Sequence, residues 1–135
     1  MAATLFDALP MHHATLRTLL RPAASVVSVT RRDTLRDAFG LMRAHGYSQL
    51  PVVEGEQVLG IVDESDVLLH VYAEPERFAE PVEHAMARKL DVLDIDAPVD
   101  ALLPLFQRGH IAVVAEAGRF AGLVTRSDLL EWLAR

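Results

Sequence analysis

The sequence contains no cysteine, which excludes disulfide staples, thiolate zinc clusters and thiol nucleophiles and removes any reason to place the chain in an oxidising compartment. Basic charge is also scarce: 13 Lys plus Arg stand against 19 Asp plus Glu, a formal net charge of −6. That balance argues against a protein that grips a nucleic-acid backbone or sheathes an anionic membrane. Long apolar runs are missing as well. Met1 to Leu20 is interrupted by Asp7, His12, His13 and Arg17, so neither a signal peptide nor a membrane span is read, and a cytoplasmic location is expected. Gly-x-Ser-x-Gly, Gly-x-Gly-x-x-Gly and P-loop patterns are absent, and no arrangement of residues points to an enzyme. His12 and His13 are adjacent and would point apart on a helix, while His45, His70, His84 and His110 lack a partnering nucleophile pattern, so no metal site or catalytic residue is expected.

What is present is a chain of 135 residues, 51% hydrophobic, enough for one compact domain, and it repeats itself. Gly60-Ile61-Val62-Asp63-Glu64-Ser65-Asp66-Val67-Leu68 returns as Gly122-Leu123-Val124-Thr125-Arg126-Ser127-Asp128-Leu129-Leu130. Upstream, Leu16, Leu19 and Leu20 match Val82, Ala85 and Met86, and Val26, Val27 and Val29 match Val92, Leu93 and Ile95. Within a copy, Val26 to Val29 reads as a β-branched strand, and Asp33 to His45 carries Leu35, Ala38, Phe39 and Met42 at helical spacing. Leu50 to Val53 and Val58 to Val62 form a hairpin about Glu54-Gly55-Glu56, and Asp63 to Tyr72 returns to helix. The second copy repeats the order through Val92, Pro98 to Arg108, Ile111 to Ala115, Phe120 to Val124 and Thr125 to Leu133. The fold class expected is therefore α/β (α+β): two β-α-β-β-α repeats, each too small to close a core alone, packed about a pseudo-twofold axis. The boundaries read are an N-terminal extension over 1–15, repeat 1 over 16–72, an acidic, breaker-rich surface linker over 73–81 and repeat 2 over 82–135.

This repeat resembles the CBS motif, and two in tandem resemble a Bateman module, the adenosyl-ligand sensor attached to many enzymes and transporters. More narrowly, Ser48 to Val53, Gly60 to Tyr72 and Arg108 to Val114 look like the C-terminal regulatory part of bacterial cystathionine β-synthases. That enzyme carries pyridoxal phosphate on a lysine, whereas the sole lysine of this chain is Lys89, so the resemblance covers the regulatory part and not the catalytic one. The chain is then either an excised regulatory piece or a free-standing module.

With Thr125 as N-cap of the last helix, Asp128 falls at the third helical position, a capping pattern in its own right. The resemblance implies that Asp128 also accepts the ribose hydroxyls of a ligand, with Thr125 and Ser127 beside it, and that Tyr47, Ser48, Gln49 and Leu50 enclose the adenine. The alternative for Tyr47 and Leu50 is simple core capping. A pseudo-symmetric second site would use Asp63, Asp66, Gly109, His110, Ile111 and Ala112, but Asp63 stands where the family has Thr or Ser, and two adjacent carboxylates repel a phosphate. Arg31, Arg32 and Arg126 either face a phosphate tail or are simply solvated. The effector implied is S-adenosylmethionine, AMP or ATP. The helices after Gly60 and Gly122 (Val67, Leu68 and Val71; Leu129, Leu130 and Leu133) are expected to pair in a homodimer. Three functions follow: a sensor modulating a fused or associated pyridoxal-phosphate enzyme, a ligand-free dimerisation module with a vestigial cleft, or a small stand-alone enzyme, which would need turnover by the isolated chain.

Overall fold

The paired glycine motifs end two strands of closely similar surroundings. The computed structural model describes residues 14–135, so His12, His13 and nearly all of the N-terminal extension lie outside the described residues. In chain order the elements are α1 (Leu16–Leu19), β1 (Arg21–Pro22), α2 (Leu35–His45), β2 (Gln49–Glu54), β3 (Gln57–Asp63), α3 (Glu64–Val71), β4 (Val92–Asp94), α4 (Leu102–Gln107), β5 (Ala112–Glu116), β6 (Arg119–Val124) and α5 (Arg126–Leu133). They sort into a central unit, residues 27–90, and a terminal unit made of residues 91–135 and, among the described residues, 14–26.

In the central unit β2 and β3 form an antiparallel hairpin, Gln49 opposite Asp63 and Glu54 opposite Gln57, closed at Gly55 with φ +61°. Two single-residue bridges widen it: Val29 pairs parallel with Val52, and Ala87 pairs antiparallel with Ile61. The core joins Leu35, Ala38 and Met42 of α2 to Leu50, Val52, Val62, Val67, Val71, Val82 and Met86. Capping boxes start both helices, Thr34 with Asp37 and Asp63 with Asp66, and Gly46 ends α2 in the left-handed region.

The terminal unit holds a four-stranded sheet in the order β1-β6-β5-β4, with β4 parallel to β5 and the other pairs antiparallel. Its core gathers Leu16 and Leu19 of α1, Ile95, Val99, Leu102, Leu105, Ala112, Val114, Val124 and Leu129. The two sheets correspond: Arg21 opposite Leu123 in β6 is the counterpart of Ala87 opposite Ile61 in β3. Each lead-in segment therefore joins a core other than the one its position along the chain suggests: Leu16 and Leu19 are buried in the terminal unit, and Val82 and Met86 in the central one.

One local expectation needs correction. The strand read over Val26 to Val29 is reduced to the Val29 bridge, because Ala23–Ser25 coils into a 3-10 turn that takes the Val26 N–H for the Ala23 carbonyl. The segment 73–81 lies at the surface and has structure of its own: Pro75–Ala79 is a 3-10 turn whose Phe78 packs against Phe39, and Glu80 accepts hydrogen bonds from His84 and His70 that hold its carboxyl below the usual range.

Glycine is required where the lead-in backbone crosses the strand end. A Cβ on Gly122, which has φ +155°, would lie 2.0 Å from the Arg21 carbonyl oxygen, and one on Gly60 would lie 2.6 Å from the Ala87 carbonyl oxygen. Gly40, exposed within α2, would meet nothing within 4 Å. Gly122→Ala is expected to cost about 3 kcal/mol in urea unfolding, whereas Gly40→Ala leaves stability unchanged or raises it by up to about 1 kcal/mol.

Candidate functional site

In the terminal unit β6 delivers Thr125 in extended conformation to the start of α5. The Thr125 hydroxyl accepts the Asp128 N–H at 3.3 Å, while Asp128 Oδ2 accepts the Thr125 N–H at 2.8 Å and its hydroxyl at 3.0 Å. The other carboxylate oxygen, Oδ1, accepts a bond of 3.0 Å from Arg21 Nη2. The Asp128 side chain is 10% exposed and that of Arg21 35%. Asp128 is thus both the cap expected and one half of an ion pair that local spacing does not disclose. Its partner comes from 107 residues away, carried in by the β1–β6 pairing. The only sequence signal was that Arg21 and Ala87 occupy equivalent places in the two copies.

Ser127 is exposed on the same turn, and the neighbouring strand end holds Ile111 and Ala112, both buried, with Ala112 opposite Val124. Gly109 is exposed with φ +77°, and the His110 ring is bonded through Nδ1 to Asp91, which also pairs with Arg108. The His110 bond holds the Asp91 carboxyl below the usual range. The β5–β6 pairing therefore sets Ala112 beside Val124, next to Thr125, with Gly109, His110 and Ile111 just upstream of Ala112 in the same unit.

The central unit assembles the others in the same way. Tyr47 follows the helix-ending Gly46, donates its N–H to the Met42 carbonyl and stacks on His45 at 5.5 Å. The Ser48 carbonyl accepts the Glu64 N–H, Gln49 lies opposite Asp63, and Leu50 is fully buried. Asp63 Oδ1 accepts the Asp66 N–H at 2.7 Å, and Asp66 Oδ2 accepts the Asp63 N–H at 3.0 Å. Burial first, and then the Asp63 carboxylate, push the Asp66 carboxyl above the ordinary range, against the lowering effect of the Asp63 N–H. Where the terminal unit has Thr125 and Arg21, the central unit has Asp63 and Ala87. Of the other arginines, Arg31 pairs with Glu54 at 3.2 Å, and Arg32 and Arg126 are exposed.

The helix faces expected to pair between copies need a correction. Val67, Val71 and Leu129 are buried in their own cores, because they lie on the side of α3 and α5 that packs onto the sheet. Leu68, Leu130 and Leu133 are exposed, joined by Leu69 and Tyr72.

A family model described as the CBS domain matches residues 17–73 and again 82–135. The chain belongs to the CBS-domain family. It is 28% identical over 130 residues to cystathionine beta-synthase of Dictyostelium discoideum, covering 92% of this chain and 26% of that one. It is 32% identical over 107 residues to inosine-5'-monophosphate dehydrogenase of Korarchaeum cryptofilum, covering 77% and 21%. The chain thus spans about a fifth to a quarter of the length of these curated relatives. Among solved structures, a hypothetical conserved protein from Geobacillus kaustophilus superposes with a TM-score of 0.83 at 26% identity, covering 90% of this chain and 96% of that one. The CBS domain of a bacterial CNNM/CorC family Mg2+ transporter in complex with ATP superposes at 0.80 with 26% identity, covering 96% and 94%. The tandem CBS pair read from the glycine motifs is borne out, as is its likeness to cystathionine β-synthase. Among the described residues no helix is long and apolar enough to cross a membrane.

The two CBS aspartates predict opposite responses to neutralisation. Removing charge from Asp66 relieves a carboxylate that the fold disfavours: with its pKa raised in the folded state, its contribution to stability falls as pH rises through that value. Asp66→Asn is therefore expected to leave stability at pH 7 unchanged or increased, with the difference from wild type vanishing below the carboxylate range. Asp128→Asn breaks the pair with Arg21 and is expected to cost about 1–2 kcal/mol at pH 7. Urea midpoints at pH 7 check both signs, and a second series for Asp66→Asn at about pH 2.5, below the carboxylate range, checks that its difference vanishes.

Proposed function

We propose that the chain is a regulatory module that binds one adenosyl compound and biases an enzyme to which it is fused or with which it associates. The likeness to the CBS family supports Tyr47, Ser48, Gln49 and Leu50 as the residues that enclose the adenine and Thr125, Ser127 and Asp128 as those that hold the ribose. The observation that carries this reading is the Arg21–Asp128 pair at the start of α5, a carboxylate acceptor and a guanidinium donor 3.0 Å apart. A ribose phosphate matches that pair: vicinal hydroxyls donate to the carboxylate, and the guanidinium is freed for the phosphate. AMP or ATP is therefore favoured over S-adenosylmethionine, which brings a cation in place of the phosphate. ATP bound to the CNNM/CorC CBS domain supports the same class of ligand.

The second site, built on Asp63, Asp66, Gly109, His110, Ile111 and Ala112, is the weaker one in this reading. Its paired carboxylates oppose a phosphate, Ala87 supplies no guanidinium, and the His110 ring is already engaged by Asp91. The likeness to cystathionine beta-synthase supports a pyridoxal-phosphate enzyme as the regulated partner. Lys89, the sole lysine, is not accompanied by any catalytic pattern, and the module acts by binding alone. To change the partner's activity tenfold, the ligand has to favour one arrangement of the module by about 1.4 kcal/mol. The exposed Leu68, Leu69, Tyr72, Leu130 and Leu133 support a homodimer, and with no ligand response they would make dimerisation the whole function.

Titration calorimetry with AMP, ATP, S-adenosylmethionine and adenine tests the reading. Asp128→Ala is expected to weaken the nucleotide by about 1.5–3 kcal/mol, the scale of hydrogen bonds to charged groups, and Asp66→Ala to weaken it far less. Equal losses at the two positions contradict the ranking of the sites. No response to any adenosyl compound replaces the sensor with the dimerisation module.

A further inference from the structure

The end of α3 and the segment that follows it bring together three groups that neither the capping chemistry nor the nucleotide reading uses. His70 lies in the last turn of α3, Glu80 follows the Pro75–Ala79 turn, and His84 closes the 3-10 turn Val82–His84. Glu80 Oε1 lies 3.0 Å from His70 Nε2 and 2.9 Å from His84 Nδ1, and the three atoms all fall within 4.8 Å of one another. All three residues belong to the central unit. We propose that His70, Glu80 and His84 form a binding site for a divalent transition metal of the zinc class.

Several features fit this role. Two imidazoles and one carboxylate are the donor set that zinc and cobalt accept and that magnesium and calcium, which seek oxygen alone, do not. Three protein ligands leave a fourth tetrahedral position for water or a donor from elsewhere. Ligands about 2.0–2.2 Å from a tetrahedral ion lie roughly 3.4 Å apart, so the two imidazole-to-carboxylate spacings open by a few tenths of an ångström while the imidazoles draw toward the ion. The backbone around the cluster is held. Leu35 N–H bonds the Glu80 carbonyl at 2.9 Å, Val82 N–H bonds the Asp33 carbonyl at 2.7 Å, and His84 N–H bonds the Pro81 carbonyl at 3.0 Å. The His70 side chain is 22% exposed and that of His84 51%, so the ion has an open approach from the His84 side.

The competing cation is Arg77. Its Nε lies 3.9 Å from the other oxygen of Glu80, Oε2, and 3.4 Å from Glu74, and its Nη1 donates to the His70 carbonyl at 3.3 Å. Arg77 therefore pairs with the Glu80 oxygen that the imidazoles do not use and leaves Oε1 to the ion, while Glu74 offsets part of its charge. A bound ion clips residue 70 to residue 84 and so fastens the helix that begins at Asp63 and Asp66 to the segment that pairs Ala87 with β3. This site stands independently of the nucleotide reading.

The test is a Co2+ titration of the full chain, stripped of metal, with the His12→Gln/His13→Gln double variant as background so that those adjacent imidazoles do not contribute. One equivalent is expected to bind with the intense visible absorption of tetrahedral cobalt, to be displaced by Zn2+, and to raise the thermal midpoint. Adding His84→Gln, a change at a half-exposed side chain, is expected to weaken the binding at least about tenfold, since even outer-shell changes reach that size. If circular dichroism shows that variant unfolded, Glu80→Gln in the same background gives the comparison. Absence of saturable one-equivalent binding, or a loss smaller than tenfold in the folded ligand variant, overturns the proposal and leaves the cluster an ion-pair network.

Discussion

At each strand end of the glycine motif a second piece of backbone passes so close that a single methyl group would collide with it. The Arg21 carbonyl runs 2.0 Å from where a Cβ on Gly122 would stand, and the Ala87 carbonyl 2.6 Å from its equivalent on Gly60. Without that approach β1 could not pair with β6, and the guanidinium of Arg21 would not reach Asp128, 107 residues along the chain. Glycine at these positions therefore has a steric cause, and the same crossing that completes the sheet also furnishes the terminal unit's charged pair.

Symmetry of fold does not carry over to symmetry of chemistry. Both units start a helix with a capping box in which the third residue is aspartate. In one, the capping group is a hydroxyl and the carboxylate meets an arginine; in the other, the capping group is a second carboxylate and the crossing residue is Ala87. The two therefore differ: one aspartate is paired with an arginine, while burial first, and then a like charge, oppose ionisation of the other. A duplicated scaffold thus carries two chemically different aspartates at equivalent places.

Much of this was legible in the sequence because it is local. The hairpins, the helices and the N-caps at Asp63 and Thr125 follow from alternation, helical spacing and a Thr-x-x-Asp or Asp-x-x-Asp pattern spanning four residues. What was hidden depends on crossings over long stretches of chain. Arg21 has no visible link to Asp128 until β1 is placed, and the Val29 strand shrank because a neighbouring 3-10 turn claimed the Val26 N–H. His70 and His84 are separated by a turn, so no short ligand motif brings them together, and only the chain's return to α3 sets both on Glu80. Likewise, helical spacing alone does not tell which side of α3 and α5 faces the sheet, and Val67, Val71 and Leu129, expected at a homodimer face, are core.

The central claim is that two similar CBS repeats support one nucleotide site and not two. Calorimetric stoichiometry with AMP addresses it directly, because the count does not depend on which substitution is tolerated. The account predicts one AMP bound per chain. Two equivalent AMP molecules per chain would contradict it, since the paired carboxylates of Asp63 and Asp66 would then be no obstacle to a phosphate.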